Sequence, residues 1–369
     1  MEWFAEYGLF LAKGVTGVIL LALLLRLISR SRQDGEGLQA GYLDVEALND
    51  RYQAEADGLR TLVWDDAAWK AERKQRKIKA KADKSAAKAA LKAAKAESAK
   101  GDASAAEADA TPVASAQRAR IYVLQFSGDM AASAVTHLRQ EISALLAVAD
   151  AGRDEVVLLL ESPGGVVHGY GLAASQLARI RDAGLSLTIC VDKVAASGGY
   201  MMACLANRLL AAPFAIIGSI GVVAQIPNFH RLLKKNDIDV ELMTAGQYKR
   251  TLTLLGENTE AGRQKFQQDI DDTHLLFKDF VQQWRPQVDI NVVATGEHWF
   301  ASQALPLQLV DALQTSDDYL RQRAKDADLF ALHWRQRKTL GQKLGLAAEE
   351  SAERVLTRWW QRATQARWY

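Results

Sequence analysis

The order of apolar and polar residues becomes regular at Ile121, where segments typical of strands and helices begin to alternate. Residues 156–160 form a continuous apolar run, which is typical of a strand buried on both faces. Further strands are predicted at 121–126 and 185–191, and helical patterns at 131–148 and 170–181. Alternation at this spacing predicts the crossover units of an α/β fold.

The next apolar stretch, residues 201–224, is long enough to resemble a membrane span. Asn207, Arg208 and Pro213 interrupt it, so we assign it to the core of the domain. A long helix is predicted over 259–284, and the domain is expected to close near 310–311.

The amino-terminal segment, residues 3–28, is almost wholly apolar and is interrupted by Lys13. About 20 such residues span a bilayer as a helix. No small-residue cleavage site follows, and Arg26, Arg30 and Arg32 come next, so an uncleaved membrane anchor is predicted over 1–32. A secretory signal or a buried helix is the alternative.

Between the anchor and the α/β pattern, residues 33–119 contain a basic run rich in Lys and Ala at 69–100. The run could form a helix or an extended tether, and its charge could bind anionic lipid or nucleic acid. No aromatic residue follows Trp69 within it, which gives base stacking no support. We therefore expect a spacer and no nucleic-acid partner. Residues 101–119 read as a linker.

The last segment, residues 316–369, combines tryptophans with arginines and lysines. Val355, Leu356, Trp359, Trp360 and Ala363 recur at helical spacing with arginines between them. Such an amphipathic helix suits a membrane surface. Packing on a neighbouring subunit or on its own domain explains the pattern equally well.

Composition limits the chemistry that the chain can perform. Net charge is only +2 and there are two cysteines, so neither a disulfide framework nor a metal–cysteine cluster is predicted. The histidines are scattered, with no HExxH pair for zinc, and no GxxxxGK phosphate loop is present. No metal or cofactor is expected.

Three short segments carry candidate chemistry. A Ser-Pro-Gly-Gly loop at 162–165 follows a buried strand, where backbone N–H groups could stabilise an oxyanion. Ser197 precedes two glycines at a helix start, a position that suits a nucleophile or an ordinary N-cap. Lys249 lies in Gly-Gln-Tyr-Lys at 246–249 and by itself reads as surface. A His–Asp pair acting on Ser197 is not excluded by spacing, because triads assemble in space.

Taken together with Ile-Gly-Ser-Ile-Gly-Val at 217–222, these segments resemble in order and spacing the signature of the signal peptide peptidase A family of serine proteases. The resemblance covers about 190 residues of motif-bearing chain. It implies a Clp protease/crotonase-like α/β fold for residues 120–315, preceded by the anchor and the helical or extended spacer.

The resemblance also implies a catalytic dyad of Ser197 as nucleophile and Lys249 as general base, with Ser219 supporting the lysine. The oxyanion hole maps to the backbone N–H groups of Gly164 and Gly198. A lysine accepts a proton only when it is neutral, which requires an apolar pocket or nearby positive charge. Family members are often homo-oligomers with active sites near subunit boundaries, so the dyad could be completed between subunits.

The expected activity is cleavage of hydrophobic or signal-peptide-like substrates, including membrane-protein fragments, at a bacterial inner membrane. Lipid contact is expected through the amino-terminal helix and the carboxy-terminal tail. Two alternatives stay open: a catalytically silent membrane scaffold, and a crotonase-type acyl-CoA enzyme. The family's orientation places the catalytic domain in the periplasm, whereas the arginines after the anchor favour the cytoplasm.

Overall fold

The computed structural model describes residues 41–98 and 118–336. The strands are β1 (Gly41–Ala47), β2 (Ala119–Ser127), β3 (Glu155–Glu161), β4 (Ser186–Val191), β5 (Val194–Ala196), β6 (Arg208–Ala211), β7 (Ile216–Gly218), β8 (His298–Phe300), β9 (Ala312–Leu313) and β10 (Ala327–Gln336). The helices are α1 (Leu48–Val63), α2 (Asp66–Ser98), α3 (Val135–Leu146), α4 (Val167–Asp182), α5 (Gly198–Ala203), α6 (His230–Lys235), α7 (Glu260–Trp284), α8 (Ile290–Val293), α9 (Ala301–Ala304) and α10 (Ser316–Arg323).

A seven-stranded sheet organises the chain, in the order β1-β10-β2-β3-β4-β6-β9. Neighbouring strands from β10 through β9 run parallel, with Ile121 opposite Glu155 and Val156 opposite Leu187. The middle of β3, from Val156 to Leu158, is apolar and fully buried, as is typical of a parallel sheet. The α/β prediction, including strands near 121–126, 156–160 and 185–191, is confirmed.

A second sheet of three short strands, in the order β5-β7-β8, lies beyond the carboxyl ends of β3 and β4. Strands β5 and β7 are parallel, and β7 and β8 are antiparallel. An isolated bridge between Ser162 and Ala195 links the chain leaving β3 to β5. The apolar stretch at 201–224 supplies part of α5 and all of β6 and β7. Most of its residues through Ile220 are buried in the core, whereas Val223 and Ala224 at its end are exposed.

A buried ion pair fastens α7 to the main sheet. Arg285, which is 1% exposed, donates from Nη2 to Asp311 Oδ1 at 2.7 Å and to Gln308 O at 2.8 Å. Asp311 Oδ2 also accepts the backbone N–H of Leu209 in β6 at 2.6 Å. Burial costs the Arg285 guanidinium its hydration, and the ion pair with Asp311 is the main interaction that offsets this desolvation cost.

The structure decides between the two conformations left open for the basic run and corrects the start of the predicted tail. The basic run is helical, since it forms most of α2. Residues 316–336, assigned by sequence to the tail, instead form α10 and β10, and β10 pairs with β2 inside the sheet. The alternating apolar positions of β10 were hidden there by its tryptophan and basic residues.

The anchor predicted over 1–32 and the amphipathic helix predicted near 355–363 lie outside the described residues. Within 41–98 and 118–336, no helix combines the length and the apolar character needed to cross a bilayer.

Removing the carboxylate of Asp311 should lower the free energy of unfolding by about 3 kcal/mol, because Arg285 then stays buried without its partner. Urea unfolding followed by tryptophan fluorescence measures this change. Glu161→Ala is the control, since it breaks only the exposed pair with Lys193 and should cost less than about 1 kcal/mol. Equal decreases in the free energy of unfolding for Asp311→Ala and Glu161→Ala would show that the Arg285–Asp311 ion pair does not fasten α7 to the sheet.

Candidate active site

Three strand ends bring the sequence-predicted groups together. Gly164 follows β3, Ser197 follows β5, and Ser219 follows β7. Because Ser162 bridges to Ala195 and Ala196 pairs with Gly218, the three ends lie side by side at the carboxyl edge of their strands. Ligands of open α/β sheets bind at this edge, so the convergence marks the site.

Ser197 occupies a strained turn between β5 and α5. Its φ of 53° and ψ of −120° lie where residues with a side chain rarely occur. The turn is held on both sides, since Ser197 N donates to Gly218 O at 2.8 Å and Ser197 O accepts from Met201 N at 3.0 Å. Strain of this kind persists only where the surroundings impose it, as at many catalytic centres.

Gly164 approaches this serine more closely than a residue with a side chain could. A methyl group at Gly164 would lie 2.7 Å from both Ser197 Cβ and Ala196 O, and 2.9 Å from Gly198 N. Its φ of +91° also favours glycine. The Pro-Gly-Gly loop therefore forms one wall of the site around Ser197.

A buried hydrogen-bond chain sets the shape of that wall. Tyr170 donates from Oη to Asp129 O at 2.9 Å, so the 2.6 Å contact between Ser162 and Tyr170 has Ser162 as the donor. Ser162 Oγ in turn accepts from Gly164 N at 3.1 Å. Burial raises the pKa of Tyr170, which keeps its hydroxyl a donor.

This chain changes which backbone N–H groups are free to bind a substrate. Gly164 N–H, one of the two predicted oxyanion donors, already has Ser162 Oγ as its acceptor. Gly198 N–H opens α5, where helical geometry provides no acceptor. Within the described part of the chain, Gly165 N–H also has no acceptor. The sequence alone did not single out Gly165 as a free donor, because adjacent glycines cannot be told apart without the loop's hydrogen bonds.

Ser219 directly follows β7, the strand that pairs with β5. Its φ of 53° is again unusual for a residue with a side chain, and its N–H donates to Glu297 O at 2.6 Å. The half-buried hydroxyl is hydrogen-bonded neither to Ser197 nor to Lys249 in the described residues.

Lys249 is placed differently from the other predicted site residues. It belongs to a segment at 221–258, here called the arm, in which every residue from Val223 to Phe229 and from Lys234 to Arg250 is exposed. Val223 is 92% exposed and Met243 is 86% exposed. No hydrogen bond joins Lys249 to Ser197 within the described residues of one chain.

The base of the arm is nevertheless well fastened. Asn228 donates from Nδ2 to Thr253 O at 2.9 Å and to Gly256 O at 3.0 Å, and Phe229 N donates to Leu254 O at 2.7 Å. Farther out, the ring of Tyr248 lies 5.7 Å from Lys265 Nζ on α7. Lys249 is therefore carried on a defined extension that leaves its side chain in solvent.

Two family models together account for nearly all of the chain. The model "Peptidase family S49 N-terminal" matches residues 2–177, and the model "Peptidase family S49" matches residues 179–329. The chain belongs to peptidase family S49. The family membership predicted from the motifs is thereby confirmed, and the chain is a protease.

Named relatives agree with this assignment. The chain is 49% identical to "Probable protease SohB" of Haemophilus influenzae, over 96% of this chain and 95% of that protein. It is 41% identical to "Putative protease SohB" of Buchnera aphidicola subsp. Baizongia pistaciae, over 89% and 90% of the two chains. The solved structure of a mutant 1510-N membrane-bound stomatin-specific protease aligns at 12% identity and a TM-score of 0.38, covering 56% of this chain and 85% of that one.

In this S49 peptidase, two histidines lie near the strand that precedes Ser219. His298 on β8 pairs with Gly218 of β7, and His274 on α7 contacts Ile220 O at 3.2 Å through Nε2. Neither is hydrogen-bonded to Ser197 in the described residues. The backbone of His298 lies two strand spacings, about 10 Å, from that of Ala196, which makes His298 a rival base to test.

Gly164→Ala should lower peptide cleavage by about 100-fold or more, since the added methyl group pushes on Ser197 and on the free N–H of Gly198. Steady-state cleavage of a peptide substrate measures the loss, and circular dichroism confirms folding.

Gly171→Ala is the matched control, because Gly171 lies in α4 with no atom within 4 Å of an added methyl group. It should retain full activity. Full activity in Gly164→Ala, with the fold intact, would show that the close approach is not needed for catalysis.

Proposed function

We propose that the chain is a membrane-anchored serine endopeptidase in which Ser197 attacks the peptide bond and Lys249 is the general base. The observation that carries this proposal is the strained turn at Ser197, enclosed by Gly164 and followed directly by α5. An ordinary N-cap serine has no need of such backbone strain, and Ser197 makes no side-chain cap hydrogen bond.

The first chemical step is addition of Ser197 Oγ to the substrate carbonyl carbon. The serine proton passes to the neutral amine of Lys249, and the carbonyl oxygen becomes an oxyanion. Gly198 N–H is one donor to that oxyanion. For the second donor we propose Gly165 N–H, or Gly164 N–H after it leaves Ser162 Oγ, because Ser162 occupies the Gly164 N–H in the free enzyme.

The second step restores the enzyme. The tetrahedral intermediate collapses, the peptide amine leaves with the proton from Lys249, and Ser197 is left as an ester. The same lysine then takes a proton from water, whose oxygen adds to the ester carbonyl. The bond between the acyl carbon and Ser197 Oγ breaks, the lysine returns the proton to Ser197, and the carboxylic acid leaves. Every step uses side chains and backbone groups of this protein.

The position of Lys249 supports completion of this site by a second subunit. An arm with aliphatic side chains as exposed as Val223 and Met243 is expected to be covered by a partner. We propose a homo-oligomer in which the arm docks on a neighbour and delivers Lys249 of the partner subunit to Ser197 and Ser219. Contact with that neighbour supplies the burial that a neutral lysine needs.

The proposed substrates are hydrophobic peptides, including signal-peptide-like fragments, at a bacterial inner membrane. The apolar segment at 3–28 supports a single-pass anchor, and the family resemblance supports a periplasmic catalytic domain. The named relatives are proteases, which supports peptides over acyl-CoA as substrates.

Ser197→Ala and Lys249→Ala should each lower peptide cleavage by the detergent-purified full chain on the order of 10⁴-fold, since nucleophile and base act as a unit. His298→Ala is the control, and it should keep activity near that of the parent. Activity of the parent should rise with pH as the base loses its proton.

Retained activity in Lys249→Ala, together with loss in His298→Ala, would transfer the role of base to the histidine. A folded, oligomeric parent without activity on any hydrophobic peptide would favour the silent scaffold instead.

Mixing the two inactive variants tests delivery of the lysine between subunits. If the dyad forms in trans, a one-to-one mixture that has exchanged subunits should regain about a quarter of the parent's activity, because a quarter of the sites combine Ser197 with Lys249. Subunit exchange is verified with two differently tagged variants. Exchanged oligomers that stay inactive would place both residues of each dyad in the same chain.

A further inference from the structure

Helix α2 presents a row of basic side chains that the catalytic proposal does not use. Lys70, Arg73, Lys74, Lys77 and Lys81, here called the basic stripe, follow one another at spacings of three and four residues, apart from the adjacent pair Arg73 and Lys74. Side chains at such spacings lie on one side of a helix. All five are exposed.

The stripe is not neutralised by its surroundings. Two acids beside the stripe, Glu72 on α2 and Asp57 on α1, are bound by Arg76 at 3.0 Å and 2.9 Å, and Asp57 is also bound by Arg60 at 2.7 Å. Within the described residues, no carboxylate forms an ion pair with any member of the stripe. The Arg76–Asp57 pair thus links α2 to α1, and both acids have arginine partners outside the stripe.

The sequence extends the same spacing beyond the stripe. Lys84, Lys88, Lys92 and Lys95 continue it at intervals of three and four residues. From Lys70 to Lys95 a helix is about 37 Å long, which is the scale of several lipid headgroups and not of a compact pocket. A long, one-sided row of lysines fits an extended anionic surface.

An exposed apolar turn lies at the end of the same helix pair. Leu62 is 84% exposed and Val63 is 77% exposed at the end of α1, where the rings of Trp64 and Trp69 meet edge to face at 6.4 Å. Aliphatic and tryptophan side chains next to basic residues are typical of segments at the boundary between headgroups and acyl chains. Exposed Leu and Val side chains can be buried in a lipid surface but do not contribute to binding a nucleic-acid backbone, so the apolar turn favours lipid over nucleic acid.

We propose that α2 lies along the membrane surface and binds anionic lipid headgroups through the basic stripe. This function is independent of the Ser197 site, and it replaces the expectation that the basic run is only a spacer. Each basic residue near an anionic leaflet strengthens binding about fivefold, so even part of the stripe suffices to hold the helix on the surface.

The test is lysine acetylation of the full chain in lipid nanodiscs, read for each lysine by mass spectrometry. In discs containing about one-third phosphatidylglycerol, acetylation of Lys70, Lys74, Lys77 and Lys81 should be slower by about threefold or more than in pure phosphatidylcholine discs. High salt should remove the protection, because screening weakens headgroup contacts. Lys278 and Lys325 should react equally in both discs.

Charge variants distinguish the effect of the basic stripe from the effect of the protein's total charge. Lys70→Gln/Lys74→Gln/Lys77→Gln should weaken the protection of Lys81, because each removed charge lowers the affinity for the anionic surface. The matched control Arg139→Gln/Lys278→Gln/Lys325→Gln removes the same charge elsewhere and should keep it.

Three results would overturn the proposal. Equal reactivity of the stripe in both kinds of disc would show that it does not contact anionic lipid. Slow acetylation of the stripe lysines to the same extent in phosphatidylcholine discs and in detergent would mean that protein covers the stripe, for example a second copy of the chain. Protection by added RNA in phosphatidylcholine discs, with none from phosphatidylglycerol, would assign the stripe to nucleic acid.

Discussion

The approach of the Gly164 backbone to Ser197 is the constraint on which the site depends. It requires the chain leaving β3 to bridge to β5, β5 to pair with β7, and Ser197 to accept a φ of 53°. The strain is affordable because the surrounding parallel sheet and buried helices fix both ends of the turn. A hydroxyl held in this way keeps its position without depending on the substrate, which is what a nucleophile needs.

The proposed nucleophile and the proposed base are supported in opposite ways. Ser197 stands on buried strands, whereas Lys249 stands on an arm fastened at its base by Asn228 and exposed beyond it. Under the proposed function, this division makes assembly a condition for activity. A free subunit then carries the nucleophile without its base, which protects other proteins at the membrane from uncontrolled cleavage. The proposed binding of lipid by the basic stripe on α2 would add a link to the membrane that is independent of the proposed amino-terminal anchor.

Much of the fold could be predicted from the sequence, because buried parallel strands are continuous apolar runs and the helices between them have a different period. The loop at 162–165 and the turn at Ser197 were also recognisable, since glycines beside a serine signal close backbone approach. Residues 316–336 were not recognised as part of the sheet domain, because basic and aromatic side chains obscure the alternation of buried and exposed positions in β10. The Ser162–Tyr170–Asp129 chain and the exposed position of Lys249 depend on contacts distant in sequence, which no local pattern reveals.

Covalent labelling with a fluorophosphonate, mapped to the residue by mass spectrometry, tests the central claim most directly. The full-length protein should carry a single adduct, on Ser197, and Lys249→Ala should label at least about 100-fold more slowly because the hydroxyl then lacks its base. An adduct on any other serine, or equal labelling of Ser197 with and without Lys249, would contradict the proposed Ser197–Lys249 site.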